Sequence, residues 1–486
     1  MRSSNGHAPA SLFPDDHPLL WFSDRDAWCL RDAYEGTQIF GGTGSGKTTG
    51  SGKALAESFL HAGMGGLILT AKPGEPQLWQ NYAKTQGRER QLVIFSPSQP
   101  WRFNFLEYEF SRGGEGAGIT SNLVHLFTSV LEVAQAGQAA HDGFWNRSLR
   151  QLLRNAIDLL AVATGGLNLP DIARIVRSAP YSPEQADSTD WRAASYCAQC
   201  IQAGIDRQAH DGTLDPSRSR DFEQAVEYWL GEFPALAEKT RSIIVTMFTG
   251  MADGFLRGQL RDLFCTTTNI TPEACEKGAL ILLDLPVKEY GDEGRFAQVL
   301  FKTIWQKAIE RRHIASSPRP VFLWADEAQN FVTSYDMQFQ ATARSSRAAT
   351  VYLTQNLPSY YSALGGGEKG KTQADALLGN LQTKIFHANG DPATNNWASD
   401  LFAKTWQTHG GVSYQTGRPQ QGQPSGPSYN THQSFDFAVE PMRFHHLRKG
   451  GSANRFLVDG IVFQAGRQWL ANNNLNSIEV EFSQTD

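Results

Sequence analysis

The chain has 486 residues, 40% of them hydrophobic and 19% charged, with a formal net charge of −5. That length allows two or three domains of ordinary globular composition, and the acidic balance excludes a generally basic nucleic-acid coat while leaving room for DNA gripped by local basic loops. The five cysteines are too few and too odd in number for a disulfide framework, which points to a reducing cytoplasm.

The opening Met1–Pro14 is polar and lacks the layout of a signal peptide, and no apolar run reaches the ~20 residues that span a bilayer. The chain is therefore expected in the cytoplasm, touching a membrane only through a partner. Thr37–Phe40 reads as a short buried strand. It runs into Gly41-Gly42-Thr43-Gly44-Ser45-Gly46-Lys47-Thr48, which fits the phosphate-loop pattern G-x-x-x-x-G-K-[ST]. Glycines let such a loop curl so that backbone N–H groups face phosphate oxygens, Lys47 reaches the β- and γ-phosphates, and the Thr48 hydroxyl ligates Mg²⁺. A helix over Thr49–Leu60 would add its positive end to the same site. The expected cofactors are ATP and Mg²⁺, with Gly41, Gly42, Thr43, Gly44, Ser45, Gly46, Lys47, Thr48 and Thr49 forming the nucleotide-binding set.

Gly66–Thr70 and Gln91–Phe95 read as further buried parallel strands. From about Ser111 to Ala235 the strand signal vanishes, while Trp145, Leu149, Leu152, Leu153, Ala156, Ile157 and Leu160 recur at helical spacing. Cys197 and Cys200 form a C-x-x-C, but no second pair completes a zinc site, so they are read as helix cysteines. Strands return at Ala279–Leu283, Val321–Ala325, Thr350–Leu353 and Lys384–His387, with helical segments between them. The alternation predicts a doubly wound, mainly parallel α/β sheet, split by an all-helical insertion. The predicted domains are residues 1–112 and 236–486 for nucleotide binding and 113–235 for the insertion. Lys369 and Lys371, in a glycine-rich stretch, are read as a solvated loop, and Gly410–Gln433 as a flexible one. Arg455–Val458 and Ile461–Phe463, with Asp459-Gly460 between them, predict a hairpin forming an antiparallel edge.

The apolar strand Val321–Ala325 ends in Asp326-Glu327, the Walker B position of a phosphate-loop ATPase. There Asp326 holds the Mg²⁺ shell and Glu327 orients the attacking water. Gln355, after Thr354, is placed to sense the γ-phosphate. Arg344 and Arg347, on the helix between Walker B and that strand, are candidates for an arginine finger reaching a neighbouring subunit.

With these residues in order, the chain resembles the type IV coupling proteins, the TraG/TraD-like ATPases of conjugation and type IV secretion within the HerA/FtsK group. The resemblance spans about Gly36 to Gln468. It is carried by Gly41–Thr48, Lys72-Pro73-Gly74-Glu75, Phe103-Asn104-Phe105-Leu106, Phe144-Trp145, Asp326-Glu327-Ala328, Thr354-Gln355, Gly379-Asn380 and Asp391-Pro392-x-Thr394. It implies a RecA-like nucleotide domain with an all-alpha insertion, a homo-hexameric ring around a DNA channel, protein partners of a transfer system, and Arg344 as the better finger. Two departures stand out. Many relatives carry two N-terminal transmembrane helices, whereas this sequence starts almost at the nucleotide domain. The family also usually has an Asp near Thr70. The expected function is a DNA-moving or DNA-recruiting ATPase of a conjugation-like system. The alternatives are a motor of a mobile-element or defence module, or a nucleotide-gated adaptor.

Overall fold

The structure, a computed structural model, describes residues 13–114, 116–126, 143–210, 215–413, 428–473 and 475–485. Most of the polar N-terminal stretch, parts of the helical insertion and the middle of the Gly410–Gln433 segment lie outside these residues.

The strands, in chain order, are β1 (Pro18–Ser23), β2 (Asp26–Cys29), β3 (Thr37–Phe40), β4 (Gly65–Leu69), β5 (Leu92–Phe95), β6 (Leu280–Leu283), β7 (Val321–Ala325), β8 (Ala348–Thr354), β9 (Thr383–Phe386), β10 (Lys404–Ser413), β11 (Ser428–Phe437), β12 (Leu457–Gln464) and β13 (Ser477–Ser483). A nine-stranded sheet has the order β13-β12-β9-β3-β8-β7-β4-β6-β5. The pairings from β9 to β5 are all parallel, and β12 joins antiparallel to β9 and to β13. In a parallel sheet every strand ends at the same edge. The residues following β3, β4, β7 and β8 are therefore brought together there, although β4 ends at Leu69 and β7 begins only at Val321.

The run Val-Phe-Leu-Trp-Ala of β7 is apolar throughout because both sheet faces are covered. Successive side chains point to opposite faces. Phe322 and Trp324 pack with Leu55, Phe59 and Trp79, from helices Lys53–His61 and Glu75–Thr85. Val321, Leu323 and Ala325 join the other core, with Phe301 and Trp305 of helix Val287–Arg311. Trp79 stacks on Phe322 with ring centroids 5.9 Å apart.

Between β5 and β6 the described residues are mainly helical, including Gly143–Thr164, Leu169–Ser178, Tyr196–His210, Pro216–Glu227, Glu238–Leu256 and Gly258–Phe264. Leu149, Leu152, Leu153, Ala156, Ile157 and Leu160 are all buried, as their spacing requires. Cys197 and Cys200 are free thiols buried on one helix. Among the described residues no single helix is long and apolar enough to cross a membrane.

The structure corrects several readings. Gly410–Gln433 is not simply a loop, because β10 and β11 form a ten-residue antiparallel ribbon on either side of residues 414–427. Its Gly, Gln, Ser and Thr content concealed the cross-strand pairing, which includes Trp406 against Phe435 with ring centroids 5.4 Å apart. Lys369 and Lys371 sit in the first turns of helix Gly367–Asn380, where Ala374, Leu377 and Leu378 supply the buried side. Asp459-Gly460 is no turn either, since β12 runs straight through it and the hairpin closes with β13 instead. Gly460 is there for room: a Cβ would come within 2.9 Å of Phe482 and 3.2 Å of His387.

Candidate active site

The phosphate loop leaves β3 with Gly44 at φ +70° and Gly46 at φ +84°, backbone that favours glycine. A Cβ on Gly44 would meet nothing within 4 Å, so Gly44 is needed for its dihedral, whereas at Gly46 a Cβ would also strike Val458 at 2.5 Å. The predicted helix begins as a π-helical turn, Thr48–Gly52, before the α-helix Lys53–His61. π-Turns of this sort are frequent at functional sites. Ser45 Oγ is buried and, among the described residues, has no hydrogen-bond partner.

A cavity of about 560 Å³ opens over the loop, lined by Lys47, Thr48, Lys72, Glu327, Gln329 and Gln355 among others. That volume suits a small-molecule ligand. Thr43 to Thr49 all line it, while Gly41 and Gly42 form the base of the loop: Gly41 N–H donates to Thr354 O at 3.3 Å and Gly42 N–H to Ala388 O at 2.9 Å. Thr48 Oγ1 donates to Asp326 Oδ2 at 2.9 Å. A hydroxyl and a carboxylate converging beside a phosphate loop are the hard-oxygen donors that Mg²⁺ takes together with waters and phosphate. These residues fit the ion.

Glu327 sits at φ 51°, ψ 49°, the left-handed region that a non-glycine residue occupies only under constraint. Its carboxylate is surrounded by donors. Lys72 Nζ reaches Oε1 at 2.6 Å and Gln329 Nε2 reaches Oε2 at 2.9 Å. Gln355 Nε2 lies 3.4 Å from Oε1, and Lys47 Nζ 4.0 Å from it. Burial pushes the Glu327 carboxyl up, but the bonds from Lys72 and Gln329 and the charges of Lys47 and Lys72 prevail and hold it at about 2. Gln355 thus lines the cavity beside Glu327. Its carbonyl accepts from Asn389 Nδ2 at 2.9 Å, which fixes the turn that carries it.

Arg344 is not brought into this pocket. Helix Ser334–Thr342 ends before it, and its exposed guanidinium pairs with Glu35 Oε1 at 3.0 Å. An exposed pair of this kind contributes little stability. Arg347, expected on the same helix, lies in a turn at φ 47°, donating to Pro318 O at 3.2 Å.

Two residues in the site were not singled out by role. Lys72 lay inside a quoted motif, but its significance depends on β4 neighbouring β7, which no local pattern reveals. Gln329 follows Glu327 by two positions and also accepts from Thr354 Oγ1 at 2.7 Å, tying β7 to β8. Glu75, in the same motif as Lys72, accepts from Ala71 N–H at 2.9 Å. Burial and the nearby charge of Asp326 push its carboxyl up to about 8, against the Ala71 bond and the Lys72 charge.

His387 lies directly behind the loop. Its Nδ1 faces the Asp459 carbonyl at 2.7 Å, which requires Nδ1 to carry the proton, so Nε2 accepts from Ser51 Oγ at 2.6 Å. Burial pushes its pKa down to about 4, with the charge of Lys47 adding and the Asp459 carbonyl opposing. In the unfolded chain the ordinary value is 6.5. As pH falls through that value the unfolded chain takes a proton that the native imidazole refuses, so stability drops until the folded pKa is reached. Between about pH 7 and pH 5 this amounts to roughly 2 kcal/mol. In denaturant titrations at the two pH values, His387→Gln should reduce the loss by about that much. An unchanged pH dependence would mean that His387 does not supply it.

Fold and site together define a phosphate-loop protein on a RecA-like, mainly parallel sheet. The family model for the TraM recognition site of TraD and TraG matches residues 320–437, which run from β7 through β11 and include Asp326, Glu327, Arg344 and Gln355. No curated protein matches the sequence. Among solved structures, the bacterial conjugative coupling protein TrwBdeltaN70 in its unbound monoclinic form is similar with a TM-score of 0.60. The identity is 13%, over 94% of this chain and 86% of that one. Plasmid coupling protein TrwB in complex with the non-hydrolysable ATP analogue ADPNP gives 0.57 at 14% identity, covering 94% of this chain and 88% of the other. The same protein with ADP and Mg²⁺ gives 0.59 at 13% identity, covering 95% and 87%. The resemblance to the type IV coupling protein family, read first from the motifs, is borne out by the family model and by the fold.

Proposed function

We propose that the chain is a Mg²⁺-dependent ATPase that moves or loads DNA for a conjugation-like transfer system, working as a ring of identical subunits. The observation that carries this is the convergence of Lys47 and Thr48 with Asp326 and Glu327 at one sheet edge, inside a cavity of about 560 Å³. In this reading the loop amides and Lys47 hold the phosphates, and Thr48 and Asp326 hold Mg²⁺, which screens phosphate charge when bound. Glu327 and Gln355 position a water. Attack by that water on the γ-phosphorus breaks the bond to the β-phosphate oxygen and releases ADP and phosphate. TrwB, whose fold this chain shares, is known in complex with ADPNP and with ADP and Mg²⁺, which supports the choice of ligand. The match to a TraM recognition site supports a protein partner as well. The exposed position of Arg344 suits a residue that reaches across to a neighbour's site.

DNA contacts on an acidic chain must come from local basic loops, whose phosphate contacts release counterions. Turnover should rise when DNA is added at low salt and lose that stimulation as salt increases. In the same oligomeric preparation, Arg344→Ala should bind ATP normally and turn over slowly. A rate indifferent to DNA at every salt concentration would remove the motor reading and favour the nucleotide-gated adaptor.

A further inference from the structure

Lys72 leaves β4, which flanks β7 on the side opposite β8, so its side chain enters the cavity across from Gln355. Among the described residues, Glu327 Oε1 is the only hydrogen-bond partner of its ammonium, at 2.6 Å. This is the shortest contact that Glu327 makes, and the ammonium neutralises the charge with which the carboxylate would polarise a water. The backbone under Lys72 is fixed. Pro73 follows it, Gly74 stands at φ +89°, and Glu75 Oε2 holds the Ala71 N–H at 2.9 Å. The side chain is freer, 34% exposed against 8% for Glu327. A lysine stem on a rigid turn lets a compact charge change partners without moving the chain.

A nucleoside triphosphate brings a second anion into the same cavity. Its γ-phosphate offers more charge and more acceptor oxygens than one carboxylate, and a diphosphate places no phosphate at that position. We propose that Lys72 is a second phosphate-reading lysine. It holds Glu327 while the site lacks a γ-phosphate, passes to the γ-phosphate oxygens when a triphosphate binds, and thereby frees Glu327 to position the water. The assignment rests on the ATPase reading above and makes Lys72, beside Lys47 and Gln355, a residue that tells triphosphate from diphosphate.

The test is calorimetric titration of wild type, Lys72→Met and Lys72→Arg with Mg²⁺ plus either ADP or a non-hydrolysable ATP analogue. Methionine keeps most of the stem and removes the charge, while arginine keeps the charge. Lys72→Met should lose about tenfold or more in affinity for the analogue, the worth of one charged hydrogen bond, while ADP affinity stays within about twofold. Lys72→Arg should keep most of the discrimination. Equal loss for both nucleotides, in a variant that melts like wild type, would make Lys72 a support for the pocket and overturn the proposal. An unmoved ratio with normal wild-type binding would overturn it alone. Failure of wild type to bind either nucleotide would overturn the ATPase reading and this assignment together.

Discussion

Glu327→Gln should bind ATP normally and hydrolyse it more slowly by a factor on the order of 10² to 10⁴, the range a positioned general base supplies. Lys47→Ala should fail earlier, at nucleotide binding. The two side chains sit 4.0 Å apart, yet they belong to different steps. Lys47 is buried in the loop beside Thr48, where a phosphate would take its charge. Glu327 is held by Lys72 and Gln329, with its backbone N–H donating to Asp326 Oδ1 at 2.8 Å. Glutamine keeps that shape and leaves Asp326 in place, so the Mg²⁺ donors survive. What is lost is the carboxylate's charge at the water and, because an amide nitrogen donates, one of the two acceptors that Lys72 and Gln329 use. Nucleotide titration separates binding from the step that follows, and phosphate release under single-turnover conditions measures that step. Equal loss of binding in both variants would contradict the roles assigned to them.

The site was legible where chemistry is local in sequence. A glycine-rich loop between a strand and a helix, and an apolar strand ending in two acids, each carry their meaning in a handful of adjacent residues. Their meeting was inferred from the pairing of the motifs, and the sheet supplies the reason: β3 and β7 are separated only by β8, with all three parallel. What local reading could not supply was strand order. Lys72 matters because β4 lies next to β7, and nothing near Lys72 says so. The parallel strands were found because burial on both faces makes them continuous apolar runs. The antiparallel edge strands were harder. In β13, Ile478, Val480 and Phe482 are buried while Glu479 and Glu481 are exposed, a period-two pattern that was available and outweighed by the Asp-Gly signal upstream. In the β10–β11 ribbon Trp406 and Phe435 are exposed on both strands, and among the described residues no side of the ribbon is buried to leave a pattern.

The largest stability effect is expected away from the nucleotide, at Lys302→Met, with a loss of about 3–5 kcal/mol. Lys302, on helix Val287–Arg311, is fully buried and pairs with Asp336, near the start of helix Ser334–Thr342. Its ammonium also donates to Phe331 O at 2.7 Å. Asp336 gathers three more donors: Thr333 N–H, at the cap of its own helix, at 2.6 Å, Gln306 Nε2, on the helix of Lys302, at 2.8 Å, and the Tyr352 hydroxyl of β8 at 2.7 Å. Burial alone would raise the Asp336 carboxyl, but the Lys302 charge and these bonds hold it below the ordinary carboxylate range. Removing the lysine leaves that carboxylate in a dry core with dipoles around it and no counter-charge. The same pair anchors the segment after β7 that carries Gln329, so the loss should also loosen one of the groups holding Glu327. Lys302→Met with Asp336→Asn leaves no unpaired charge, and the double variant should recover at least about half of the loss. Denaturant midpoints of the single and double variants measure both quantities. A single-variant loss under about 1 kcal/mol would mean that water or a neighbouring group replaces the lysine, and that the buried pair does not hold this part of the sheet together.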